Sequence, residues 1–443
     1  MKILKVLAAL LCALTLCFIL AACVHSGGVE PTSDAAQTAS DHTAAPEDVH
    51  DTAAPSCEPL RFEDVYDPFT DWDNGKGRSY ATFAESDEAY YFSALGDYCY
   101  YYDKIAGERG VLCGKPECMH DAERANSGCN GFIQCHAGWL CFYKEHIYYV
   151  GSDEKDLCVY RLNTDGSGRE KLTIIEYDEQ HIPEEFYFHR GRVYANGRGY
   201  KVSCGVPYYT WYVMCWDIET GEFKLIYENS SVFDQARPLL FFFGDDVYFC
   251  ASYYLSEDDV TPQIDLFRWS SLTGELETLY SGQDPNVIGG EFSLWVAAED
   301  EIYSAPIFAL RETDAAAVYR LTDGRLEKRF EFTQKGQIRL LDGAAVLTEF
   351  FGMRQKPYVE MRDYSGELLF TGELDMGFLN EVAEEEGKQV DRFTCYSTLG
   401  DSKALYYVIK VTFEDDTSRT CLVRYEAADD GLIETLLCVD KYY

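Results

Sequence analysis

Positive charge is scarce in this chain of 443 residues: 38 Lys and Arg stand against 76 Asp and Glu, a formal net charge of −38. That balance argues against nucleic acid or another polyanion as a partner, because phosphate contacts are made by Lys and Arg. It is compatible with cations or basic peptides, and equally with acidity that keeps an exported protein soluble. Histidine is scarce too. There are 8, and none follows His189. A Ser-His-Asp or Cys-His apparatus would have to draw on His120, His136, His146, His181 or His189. Neither a nucleophile elbow nor a zinc-protease helix occurs, so no catalytic signature is visible. The two placed carboxylates of a glycosidase are the one apparatus an acidic chain always offers.

The N-terminus supplies what the rest lacks, a long apolar run. Lys2 and Lys5 give a positive start, residues 3–21 are almost unbroken apolar, and Leu20-Ala21-Ala22-Cys23 ends the run with small residues before a cysteine. This is the layout of a secretory signal. Its length also admits an uncleaved anchor. Leu-Ala-Ala-Cys resembles the lipobox of bacterial lipoproteins, which implies cleavage before Cys23 and lipid (palmitate) on its thiol. The expected organisation is a signal peptide over 1–22, a lipidated Cys23 with a tether over 23–56, and a folded domain over 57–443. The tether is Ala, Ser, Thr, Asp, His and Pro with almost no large apolar side chains. It cannot bury enough surface to offset its ordering entropy. The expected location is the extracytoplasmic face of a cell membrane, held by lipid.

Within the domain a unit recurs. Its clearest copy spans residues 139–173. An apolar strand comes first, then the turn Lys144-Glu145-His146, then Ile147-Tyr148-Tyr149-Val150. A loop leads to Val159-Tyr160-Arg161-Leu162 and the tight turn Asn163-Thr164-Asp165-Gly166. Other copies hold Tyr90-Tyr91-Phe92, Val193-Tyr194 with Cys215-Trp216-Asp217, Val247-Tyr248-Phe249 with Leu266-Phe267-Arg268-Trp269, and Ile302-Tyr303 with Val318-Tyr319-Arg320-Leu321. Weaker ones lie at 344–369 and 405–437. Each offers four short strands divided by turn residues. None can cover both faces of its sheet alone, and radial stacking covers them all. The expected fold is all-β, a β-propeller of seven four-stranded blades; six or eight blades, or an array of β-sandwiches, also fit the pattern.

The clearest copy resembles the repeats of TolB-type and low-density-lipoprotein-receptor-type propellers. Cys113-Gly114-Lys115-Pro116-Glu117-Cys118-Met119-His120, with Cys129-Asn130 beyond, resembles the segment after the first repeat of a group of bacterial propeller lipoproteins. The resemblance implies a fold and a location, and no activity.

Candidate sites follow. Cys113, Cys118, His120 and Cys129 offer three thiols and an imidazole, the donor set of a closed structural zinc site. The other reading is a disulfide that includes Cys118 or Cys129, as thiols outside the cytosol oxidise. Neither leaves an open coordination position. Other cysteines, such as Cys158, Cys215, Cys250 and Cys421, sit singly on expected strands as small hydrophobes. Acidic loops between second and third strands and between blades include Asp153-Glu154-Lys155-Asp156, Glu257-Asp258-Asp259, Glu312 with Asp314, and Glu414-Asp415-Asp416. They read either as sites for Ca²⁺ or another cation or as a solvated rim. Asp71-Trp72-Asp73-Asn74-Gly75 lacks the spacing and closing Glu of a calcium loop. Residues 378–388 read as a short acidic helix. Tyr208, Tyr209, Trp211 and Tyr212 read as a ligand-stacking platform in a loop, or as an ordinary aromatic strand. Long loops carry function and tight turns are scaffold, so the end of the ring with the long loops is the expected working face. The link holding the cysteines is expected at that same end. The functions expected are a membrane-anchored binding module for a protein, peptide or glycan, a carbohydrate-active hydrolase, or a structural or sensory component of an envelope complex.

Overall fold

The structure, a computed structural model, describes residues 82–440 except 94–97, 121–125, 127, 135–139, 154–155, 179–180, 204–205, 232–234, 257, 260, 284–291, 310–314, 350–355 and 429–430. The signal, Cys23, the tether and Asp71 to Gly75 lie outside the described residues, as do Glu154, Glu257, Glu312 and Asp314.

Seven antiparallel sheets follow one another along the chain and stand in a ring, the expected seven-bladed β-propeller. The blades span residues 82–111, 141–175, 182–231, 235–283, 292–331, 336–373 and 390–440. Each is built from consecutive strands in the order of the sequence. Two small additions modify the plan. In blade four the first strand is interrupted, so Gln235–Ala236 and Leu240–Phe243 both pair with Asp246–Tyr253. In blade five Phe308–Ala309 leaves its own sheet and pairs with the first strand of blade six, Gly336–Leu341.

Burial explains the sequence pattern. In blade two the second strand, His146–Asp153, has five buried residues in a row. Tyr148 and Val150 join Phe186, Val193 and Trp216 of blade three, whereas Ile147 and Tyr149 join Ala84 and Tyr91 of blade one. A strand covered on both faces has no reason to alternate polar with apolar residues, and it reads as a continuous apolar run. The fourth strands are the outer ones. Leu276–Gln283 and Arg325–Glu331 are largely exposed.

The tight turns between third and fourth strands share one device. Asp165, Asp217 and Asp363 accept backbone N–H bonds from residues two to four further on, and Gly166, Gly221 and Gly366 take the left-handed conformation. This is the Asx-capped turn with glycine where φ is positive. In six of the seven blades the register between third and fourth strands also slips by one residue. Such a bulge adds local twist, and blade one lacks it.

The ring closes where blade seven meets blade one. Among the described residues no strand of either end enters the other's sheet, so closure rests on side chains. Tyr90, Phe92, Tyr98 and Tyr100 pack with Leu399, Tyr406, Val408, Leu422 and Cys438. Tyr100 Oη donates to Asp440 Oδ1 at 2.8 Å in a fully buried contact. Arg109 of blade one donates to the Leu436 carbonyl at 3.0 Å and to Glu381 at 2.9 Å, and also contacts Glu385. Both glutamates sit on the helix Phe378–Glu386, the acidic helix expected over 378–388. The helix ends at Gly387, whose left-handed backbone caps it, and its Phe378 and Val382 are buried in the core shared by blades six and seven.

Candidate metal centre in the link between blades one and two

The link leaves the short last strand of blade one, Arg109–Val111, and at once begins to fold on itself. Cys118 N donates to the Lys115 carbonyl at 3.1 Å, which makes Lys115-Pro116-Glu117-Cys118 a β-turn with Pro116 at its second position. Proline's fixed φ suits that position, and the turn brings Cys118 back over Cys113. His120 adopts a left-handed backbone, φ 52°. The return limb is held by the Cys129 N–H on the Asn126 carbonyl at 2.8 Å, and by Lys115 Nζ on the Gly128 carbonyl.

The consequence is convergence. One ligand atom each from Cys113, Cys118, His120 and Cys129 lies within 4.8 Å of all the others, and Cys129 is fully buried. Cys129 Sγ stands 3.6 Å from His120 Nδ1. All three cysteines are free thiols. This is the only such grouping of His, Cys, Asp and Glu among the described residues.

The thiols differ electrostatically. Burial pushes the Cys113 thiol up, but N–H groups of Lys115, Asn130 and Gly131 point at its sulfur and together with Cys129 hold it below the ordinary value. Burial, with its two thiol neighbours, pushes Cys129 up to about 12. Three thiolates cannot share so small a space without a cation to offset them. The scattered strand cysteines behave otherwise. Burial pushes Cys215 up to about 11 and Cys250 up to about 12, and raises Cys421 further.

The neighbours of the cluster were not evident from the sequence. Gly114 N and Asn130 Nδ2 both donate to the Gly166 carbonyl, at 3.0 and 2.9 Å, in the tight turn between the third and fourth strands of blade two. Antiparallel alternation puts that turn at the opposite end of blade two's sheet from its loop between second and third strands. The link was expected at the long-loop end; these bonds tie it to a tight turn instead. A Cβ at Gly166 would stand 2.6 Å from Cys113 N, so only glycine admits this approach. On its other side the link meets the ring's seam. Cys129 belongs to the buried cluster joining blades seven and one, and Cys113 and Cys118 pack against it.

The other expected sites do not assemble in this way. Asp415 pairs with Lys388 at 2.8 Å and accepts from Thr417 N, bonds that hold its carboxyl down to about 2. Asp259 accepts the N–H groups of Leu255 and Ser256, and Asp153 pairs with Lys171. Asp258, Glu414 and Asp416 form no shared cation cluster with them among the described residues. Of the helix glutamates, Glu381 and Glu385 serve the seam through Arg109, and Glu386 pairs with Arg419 of blade seven.

The aromatic segment is not in a loop. Tyr208, Tyr209, Trp211 and Tyr212 belong to a twelve-residue strand, Val206–Asp217, paired along its whole length with Arg192–Ser203. Tyr-Tyr-Thr-Trp-Tyr suits a strand strongly enough to carry it through Pro207, which sits at the hairpin tip where few bonds are lost. Tyr212 is fully buried, whereas Tyr209 is 52 % exposed and Trp211 partly so. Arg198 lies opposite Trp211 in the register and pairs with Glu184 at 2.5 Å. Directly opposed residues, and residues two apart on a strand, share a face. Tyr209, Trp211 and Arg198 therefore form one outward strip.

No protein-family model and no curated protein sequence matches the chain. Solved structures similar to it include the acylaminoacyl peptidase of Pyrococcus horikoshii (13% identity, TM-score 0.43, over 83% of this chain and 54% of that one). Another is the β-propeller domain of the Trilobed protease from Pyrococcus furiosus (12%, 0.43, over 82% and 97%). A third is TolB from Acinetobacter baumannii (12%, 0.32, over 65% and 61%). The chain thus spans about half the length of the peptidase. With TM-scores of 0.43 or lower, its architecture rests on its own strand order, and no activity is carried over.

Proposed function

We propose that this chain is a lipid-anchored, extracytoplasmic interaction module, with Cys23 as the lipidated residue and the propeller as the recognition element. The observation that carries the reading is the hairpin of blade three. Its strands run twelve residues each, and residues 199–203 with 206–208 extend past the first strand of their own sheet. At the base of this projection, where the hairpin joins the sheet, Tyr209 is exposed and Trp211 partly so, beside an Arg198–Glu184 pair. Aromatic faces beside hydrogen-bonding groups suit a glycan or a peptide laid along the strip. The Leu20-Ala21-Ala22-Cys23 motif supports the anchor, and the net charge supports exclusion of nucleic acid.

The test is an array of glycans and peptides probed with the full chain in detergent, with hydrolysis read in parallel. Saturable binding that Tyr209→Ala with Trp211→Ala weakens at least tenfold, at unchanged folding, supports the reading. Turnover of any glycan replaces it with the hydrolase reading. Binding that ignores both substitutions removes the strip from it. For the anchor, mass measurement of the N-terminal peptide shows a diacylglyceryl or acyl adduct on Cys23, or overturns that assignment.

A further inference from the structure

We propose that Cys113, Cys118, His120 and Cys129 bind one Zn²⁺ ion, and that this ion is the clasp of the ring, holding blade one between blades two and seven. The distances carry the first half. An ion about 2.3 Å from sulfur and about 2.0–2.1 Å from nitrogen, at a tetrahedral angle, sets the S–N edge at roughly 3.6 Å and the S–S edges at roughly 3.8 Å. The Cys129 Sγ to His120 Nδ1 distance is 3.6 Å, and all four ligand atoms fall within 4.8 Å of one another. A disulfide would draw two sulfurs to about 2.05 Å and leave the third thiol and the imidazole without a role. Here all four donors converge on one point. Soft thiolates with an imidazole in tetrahedral array select zinc over the hard cations. On binding, the three thiols release their protons to solvent and the imidazole donates through Nδ1. Four protein ligands close the shell, so the ion is structural.

The setting carries the second half. Blade one has the shortest strands of the ring, 4, 5, 4 and 3 residues. It meets blade seven with no shared strand among the described residues. The metal loop is bonded to Gly166 of blade two. It is packed, through the three cysteines, into the core that joins blade one to blade seven. Cys129 also precedes the residues that fasten the loop to blade one, where Cys99 N donates to the Gly131 carbonyl at 2.8 Å and Tyr98 pairs with Phe132. Fixing Cys129 to Cys113 and Cys118 thus fixes the return limb against both neighbours.

The full chain, purified in detergent without metal-affinity chromatography or chelator, should contain one zinc per molecule by elemental analysis. It should exchange that zinc for Co²⁺ with the absorption of a tetrahedral thiolate complex. Cys118→Ser and Cys129→Ser should lose it, and Cys118→His, which keeps a zinc ligand at that position, should retain it. Hydrogen exchange of the wild type before and after chelation tests the clasp without any variant. Removal of zinc should speed exchange at least tenfold at residues 98–103 and 436–439 and leave residues 247–249 of blade four unchanged. A disulfide mapped between any two of the three cysteines in the freshly purified chain overturns the site. So does a chain that takes up neither Zn²⁺ nor Co²⁺ with its thiols reduced. Exchange that rises only within residues 113–130 overturns the clasp.

Discussion

The first and last blades meet at one seam and are built on opposite plans. Blade seven has strands of 11, 10, 11 and 10 residues and a core extended by a helix. Blade one has none longer than five and lacks the bulge that the other six share. A long sheet carries enough apolar surface and ladder bonding to define itself. A short one must be defined by what touches it. Blade one accordingly takes a buried tyrosine-carboxylate bond, an arginine clamp on a neighbouring helix and a loop of convergent thiols from its surroundings. Among the described residues the ring closes without an exchanged strand, and the closure passes from backbone to side chains. Side-chain closures fail one group at a time, which makes the contrast open to test.

The largest effect expected is removal of the metal or of Cys129. Loss of a structural ion from a fold that depends on it lies in the range of about 4 kcal/mol or more. Chelation should lower the melting temperature of the whole ring, since no described strand bridges the seam. A melting curve that ignores chelator would remove the asymmetry between the blades. Next come matched deletions. Tyr100→Phe breaks the seam bond to Asp440. Tyr425→Phe breaks bonds to Glu434 and the Asp375 carbonyl within blade seven and the approach to its helix. Each should cost about 1–3 kcal/mol. Only the first should speed exchange in blade one, and equal exchange patterns would mean that the seam is no weaker than a blade interior. Arg109→Met removes the clamp on Glu381, Glu385 and the Leu436 carbonyl. Its partners are partly exposed, so about 1–2 kcal/mol is expected, read by denaturant titration.

The smallest effect lies away from the seam. The Lys388 and Thr417 side chains hold the Asp415 carboxyl at about 2, below its ordinary 3.8. Folding therefore favours the ionised form. That contribution is complete above pH 3.8 and is lost as pH falls toward 2. Lys388→Met should return the titration toward 3.8 in an NMR pH series, with little change in stability at neutral pH.

What the sequence discloses follows the same division. The blades were legible because each rests on contacts close in the chain. Tyr160-Arg161-Leu162 and Asn163-Thr164-Asp165-Gly166 announce a strand and its turn without outside help. The acidic helix was legible for the same reason, as was the convergence of Cys113, Cys118, His120 and Cys129, four donors within a short span. The seam was not. Tyr100 and Asp440 are 340 residues apart, and Arg109 reaches partners more than 270 residues on. Tyr208 to Tyr212 admit both a loop platform and an aromatic strand from sequence, because Gly205 and Pro207 mark turns; the strand is what forms, and it begins within the hairpin.

On the proposed arrangement, a metal at the link supports the short blade. The most direct measurement is the mass of the full chain under non-denaturing conditions, before and after chelation, paired with hydrogen exchange at residues 98–103. The account predicts one zinc ion with three deprotonated thiols, and faster exchange in that strand when the ion leaves. A metal-free chain carrying the mass of a disulfide among these cysteines, or a strand whose exchange does not respond, would contradict it.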